Sequence, residues 1–423
     1  MLKRSNAGRS TPLVILGLVV VAAGGYVVAR HYTPALRAAA ADSAALADSA
    51  LRTCRPASAE APIDCYDGFL LSVLRAHGVR TAMGTLDVLG ARDAQLRADG
   101  HVYAHAIGIA AGRAAGADVA AAFTSCTVIF QSGCYHGVIQ AYFERVHEVD
   151  TASVNALCRA YASPGADQWL RFQCVHGTGH GLTMYYDHNL PRALSGCDLL
   201  RAEWDRESCY SGAFMENIVH ATAPHHAAHE LHAHAAPPAS PAAPAAPPFK
   251  PLDATDLQYP CSIMAQRYLV ACYNMQTSVM LYFTHGDMAA AARGCLDAPQ
   301  ALRFVCYQGL GREISGYARQ DHREAIRLCG FAGVRYRPWC HFGVVKNFID
   351  LTANPDDGIA YCRSVGGGAN GLTCYEAVGE EIATLRNDAK AREAACAGVV
   401  LAYRGACRYG ARLTSQRPQP TGT

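Results

Sequence analysis

Residues 295–340 read CLDAPQALRFVCYQGLGREISGYARQDHREAIRLCGFAGVRYRPWC, and this stretch sets the rule for the chain. Cys295 and Cys306 are 11 residues apart, as are Cys329 and Cys340, and each pair lies 34 residues from the other. From Cys306 a first helix runs to a turn before Asp321. Asp321 is suited to cap a second helix, and Glu324 stands at the capping-box spacing from it. That second helix ends at Cys329. A Cys329–Cys340 disulfide would tie the end of one helical hairpin to the start of the next.

The rule extends along the chain. The 18 cysteines fall into nine sequential pairs: Cys54 with Cys65, Cys126 with Cys134, Cys158 with Cys174, Cys197 with Cys209, Cys261 with Cys272, Cys295 with Cys306, Cys329 with Cys340, Cys362 with Cys374 and Cys396 with Cys407. From Cys272 through Cys306, Cys340 and Cys374 to Cys407 the second members advance by 34, 34, 34 and 33 residues. The step of 69 from Cys65 to Cys134 spans two repeats, so one repeat lacks its pair. The step of 63 from Cys209 to Cys272 contains a His/Ala/Pro-rich insertion, residues 221–251. Several first helices open as C-x-x-G: Cys134 to Gly137, Cys174 to Gly177, Cys306 to Gly309 and Cys340 to Gly343. Asp118, Asp150, Asp187, Asp287, Asp321 and Asp388 are the expected N-caps of second helices. An even number of cysteines in a chain with an export signal favours disulfides over free thiols. The sequence by itself leaves other pairings open, a Cys65–Cys126 link among them.

A period of 34 with paired helices resembles the tetratricopeptide-like repeats, and the junction disulfides are similar to those of the secreted cysteine-rich members of that class. The tetratricopeptide Trp/Gly/Tyr signature is absent, and the cysteine separation is longer than in that group. The resemblance covers residues 48–412. It implies an all-α, right-handed solenoid of about ten hairpins, with first helices lining a concave groove able to take a protein or peptide. It implies no activity, because such solenoids are generic scaffolds.

The candidate site follows from the register. His176 and His180 stand at +2 and +6 from Cys174, and His136 and Gln140 at the same offsets from Cys134. One period upstream, in the repeat without cysteines, His101 and His105 fall at +2 and +6 from Asp99. Positions four apart share a helix face, so five histidines and a glutamine converge on one patch. Paired histidines at i,i+4 point to a transition metal, with zinc, copper or iron as candidates. Helices pack about 8–10 Å apart, so adjacent rows can share an ion, whereas rows two helices apart need strong curvature or a second ion. Gly137, Gly177, Gly179 and Gly181 would let the helices close up. Met215 and Glu216 could line the site, and Glu216 is the candidate catalytic carboxylate. An open coordination position would make the protein a metalloenzyme. The competing reading is an interaction scaffold whose histidines are structural; His322 and His341, which lack such partners, are expected to be structural or solvent-facing. His220, His225, His226, His229, His232 and His234, in and beside the insertion, form a candidate loop for loose metal capture.

Hydrophobic residues make up 51% of the 423 positions and the net charge is +2, which argues against a nucleic-acid partner or a polybasic membrane module. Lys3, Arg4 and Arg9 precede an uncharged apolar run, Pro12 to Ala29, long enough to span a bilayer. Residues 1–30 thus read as a cytoplasmic stub and signal anchor, and 31–47 as a linker. Residues 413–423 read as a disordered tail. Ala38–Ala41 offers a cleavage site, so a removed signal is the alternative. The anchor would hold the repeats on the periplasmic side of the inner membrane.

Overall fold

Aspartates start most of the second helices, as their spacing predicts. In the computed structural model, the side chains of Asp118, Asp150, Asp287, Asp321 and Asp388 each accept a main-chain N–H in the first turn that follows. Asp150 and Ser153 form a full reciprocal capping box. Asp321 forms half of one: it accepts Glu324 N at 2.8 Å, but the Glu324 carboxylate turns to Arg327. Asp187 does not cap. It and His188 both take left-handed backbone angles, which delays the helix, and Asn189 caps it instead.

The structure describes residues 42–55, 62–116, 118–130, 132–163, 165–222 and 249–419. The expected anchor, the Ala38–Ala41 stretch and five insertion histidines (His225, His226, His229, His232 and His234) lie outside them. All regular structure among the described residues is helical. None of these helices is long and apolar enough to cross a membrane.

The chain divides into two units, at Ala98 and Asp99. The first holds α1 (residues 42–54), α2 (Pro62–His77), α3 (Val79–Arg92) and α4 (Ala94–Ala98). Leu70, Met83, Leu86 and Leu89 form its core, and Arg92 pairs with Asp48.

The second unit contains α5 (Gly100–Ala115), α6 (Val119–Ser125), α7 (Gly133–Phe143), α8 (Thr151–Leu157), α9 (Gln168–Tyr185), α10 (Leu190–Cys197) and α11 (Glu203–Thr222). After the insertion come α12 (Leu269–Phe283), α13 (Met288–Gly294), α14 (Arg303–Tyr317), α15 (His322–Cys329) and α16 (Gly333–Thr352). It ends with α17 (Pro355–Val365), α18 (Gly368–Leu385), α19 (Ala389–Ala397) and α20 (Arg404–Gly410). The first helices α5, α7, α9, α11, α12, α14, α16, α18 and α20 pack in series, each on the next. Within this unit α18 also touches α9, where Asn387 donates to the Ala166 carbonyl. Beyond α20 the chain carries no helix through residue 419, and there Arg417 pairs with Glu376 at 2.8 Å.

Nine disulfides join the expected pairs, with Cα separations of 5.5–5.8 Å, and no cysteine is free. Such density suits an oxidising, extracytoplasmic compartment. One detail differs from expectation. The second cysteine often lies inside its helix rather than at its start. Cys174 follows a cap at Asp167, and Cys340 sits two turns into α16. Cys374 likewise bonds Cys362 from within α18, which already begins at Gly368. The segment between cysteines folds back into helix before the cross-link.

Candidate metal centre

Two helix pairs that carry the patch, α5 with α7 and α9 with α11, pack backbone to backbone. A Cβ at Gly137 would overlap the His105 carbonyl oxygen, and one at Gly108 would overlap the Cys134 carbonyl. The same reciprocal contact joins α9 to α11, where Gly212 faces the His176 carbonyl and Gly179 faces the Cys209 carbonyl. Only glycine permits this approach, so the C-x-x-G spacing is a packing device.

Four members of the patch are nearly inaccessible: His105 is 7% exposed, His136 5%, His176 8% and His180 3%. His101 is half-buried. The ring centroids of His136 and His180 are 4.1 Å apart and nearly parallel, and those of His176 and His180 are 5.0 Å apart. Potential ligand atoms of His136, His176 and His180 all lie within 4.8 Å of one another. These three can hold one metal ion. His101 lies 5.5 Å from His136 between centroids and stacks on His105 at 6.2 Å, so that row flanks the three from the His136 side. His101 Nδ1 is 2.9 Å from the Phe130 carbonyl oxygen.

The tautomers can be worked out from the partners. His180 Nδ1 is 2.7 Å from Glu216 Oε2, and a carboxylate only accepts, so the His180 proton sits on Nδ1. In the neutral ring Nε2 then presents a lone pair, and it faces His176 Nε2 at 3.2 Å. Nitrogens this close need a proton or a cation between them. Tetrahedral zinc with bonds of about 2.0–2.1 Å holds its nitrogens roughly 3.3 Å apart. A carboxylate on the outer nitrogen is the usual means of orienting a metal-bound histidine. Glu216, 2% exposed, lies on the outer nitrogen of His180, the position such an orienting carboxylate occupies.

Burial favours the neutral, ligating form of His136 and His176. Desolvation holds His136 well below its ordinary value, and the neighbouring rings of His180, His101, His176 and His105 add to the effect. Desolvation takes His176 down to about 4, opposed by the Ser208 carbonyl and assisted by Arg312. Phe172 stacks on His176 at 5.6 Å, and Trp169 packs against Phe172. The 158–174 segment thus packs onto the site through Phe172, and Trp169 is itself 8% exposed.

Gln140 is 3% exposed, and neither of its amide atoms has a hydrogen-bond partner among the described residues. His341 bonds the Tyr361 hydroxyl at 2.7 Å, and His322 stacks on Phe348 and meets Tyr361 edge to face. His220 stacks on His188 with centroids 3.4 Å apart. His188 carries no register signal, since it belongs to a turn, and only the tertiary fold brings the two together. Ser208, Phe172 and Arg312 are likewise contributors that no sequence spacing reveals.

The chain matches no protein-family model, and neither a curated protein nor a solved structure is significantly similar to it.

Proposed function

We propose that this protein binds one transition-metal ion through His136, His176 and His180, with Glu216 holding His180 in its ligating tautomer. The observation that carries this reading is the pair of Nε2 atoms 3.2 Å apart, one of them fixed as a lone pair by the Glu216 bond. Neutral imidazoles suit zinc, copper or iron. Three protein ligands leave a fourth tetrahedral position for water or a small ligand, as in catalytic zinc sites, and the unpaired Gln140 amide is available to bond what enters there. The wider setting we propose is a right-handed, tetratricopeptide-like solenoid on the periplasmic side of the inner membrane, tethered by residues 12–29. His101 and His105 form the adjoining row through which an ion would approach, and the insertion histidines are an accessory capture segment.

Elemental analysis of protein purified without a histidine tag tests the proposal. One equivalent of metal per chain, lost in the His136→Ala/His176→Ala variant, is expected. Substoichiometric metal that is the same in both proteins would sink it and leave the scaffold reading, in which the histidines are structural.

A further inference from the structure

The large apolar side chains that remain exposed are concentrated in one kind of place. Eight of the ten among the described residues fall between the cysteines of a disulfide, and all in the C-terminal repeats. Ile263 and Val270 occupy the 261–272 segment, and Leu296 and Phe304 the 295–306 segment. Phe331 and Val334 occupy 329–340, and Val400 and Leu401 occupy 396–407. Val334 is 84% exposed and Leu401 77%, more than chance exposure of a single residue requires.

Side chains in and beside neighbouring segments touch. Phe304 packs on Trp339 at 5.0 Å, Tyr307, just past Cys306, stacks on Tyr336 at 4.5 Å, and Tyr403 stacks on Tyr375, just past Cys374, at 5.2 Å. Equivalent segments of packed repeats therefore form a row along one edge of this unit, and each is held at its base by a cross-link.

The charge on the row is one-sided. The five segments from Cys261 to Cys407 contain Arg267, Arg303, Arg335, Arg337, Arg363 and Arg404, against one acidic residue, Asp297. Of the six arginines only Arg267 forms an ion pair among the described residues, with Asp198. The 197–209 segment, by contrast, carries Asp198, Glu203, Asp205 and Glu207 against two arginines. The balanced charge of the whole chain conceals this separation.

We infer that this edge rests on the surface of a bilayer containing anionic lipid. Apolar tips that enter the headgroup region, flanked by arginines that pair with phosphate, are the two components of interfacial binding. Separate tips spaced by repeats, rather than one continuous groove, fit a fluid layer better than a folded partner. The disulfides have already restricted the segments, so docking orders little new chain. The inference is independent of the metal centre.

The test uses the full chain in vesicles and reads the edge rather than the tether, since residues 12–29 would enter any bilayer. Fluorescence is compared in vesicles of brominated phosphatidylcholine and of brominated phosphatidylcholine mixed with brominated phosphatidylglycerol. Quenching is expected in the anionic vesicles, weakened by salt, and absent in Trp339→Phe. It should fall to the neutral-vesicle level in Val334→Asp/Leu401→Asp, whose melting temperature confirms folding. Amide exchange of residues 331–337 should slow in the anionic vesicles alone. Equal quenching in both lipids, quenching that survives the double aspartate variant, or no quenching with unchanged exchange would overturn the inference. So would a dimer in solution broken by the same double variant, which would assign the edge to a second copy.

Discussion

Replacing Gly212 with alanine tests how the fold builds the centre. The new methyl would overlap the His176 carbonyl and lie 3.2 Å from His180 Cδ2. The first of these is main chain and cannot rotate away, so α9 and α11 must separate. Overpacking of this kind costs about 1–3 kcal/mol, a few degrees of melting temperature in a large domain. Gly212 precedes Glu216 by one helical turn, so the same displacement draws the carboxylate away from His180, now 2.7 Å distant. About 1 Å more breaks that hydrogen bond, and losing an orienting partner typically lowers metal affinity about 10–100-fold. Gly316→Ala is the matched control. Gly316 is exposed in α14 with nothing within 4 Å of its Cβ position, so the helix should gain up to about 1 kcal/mol. Thermal denaturation of the oxidised protein reads the first effect, and metal titration against a competing chelator reads the second. A Gly212→Ala protein that melts with the wild type and binds metal equally well would refute the reasoning.

Three further outcomes are expected. Glu216→Gln should fold normally and bind metal about 10–100-fold more weakly, by the same chelator competition, because an amide does not fix the His180 tautomer as a carboxylate does. Burial first, then Arg337, brings His341 from 6.5 down to about 4. As pH falls through that window the unfolded chain takes up a proton that the folded chain refuses, so this stability is full above 6.5 and lost by about 4. The gap corresponds to roughly 3 kcal/mol, and denaturant titrations across the window should show His341→Asn with a shallower slope than the wild type. Cys329→Ser/Cys340→Ser opens a loop with a separation of 11 residues, a loss of about 3 kcal/mol by loop closure; equal unfolding midpoints for variant and wild type would contradict it.

The cysteine spacing carried the architecture because a cross-link between consecutive helices depends only on local separation, and local separation is what a sequence records. The aspartate caps were legible for the same reason, and Asp187 failed because two left-handed residues in its turn moved the helix start to Asn189. The rows of His136, His176 and His180 could be read because a repeat converts register into proximity. The partnership of His188 with His220 could not, since neither occupies a repeated position. Nor could the charge segregation along the disulfide segments be seen in a whole-chain balance. The division between the three histidines that can share an ion and the pair that flanks them depends on helix separations in three dimensions, which register alone does not give.

The short reach of the disulfides has a consequence for proteolysis. Arg267, Arg303, Arg335, Arg363 and Arg404 all lie between the cysteines of a bonded pair. A trypsin-like protease cutting at any of them nicks the backbone without releasing a fragment, and the two ends stay covalently joined. No bond crosses from the Cys197–Cys209 pair to the Cys261–Cys272 pair. A single cut between Thr222 and Phe249 would therefore part the chain into two separately cross-linked pieces, with His136, His176 and His180 of the candidate centre retained on the first.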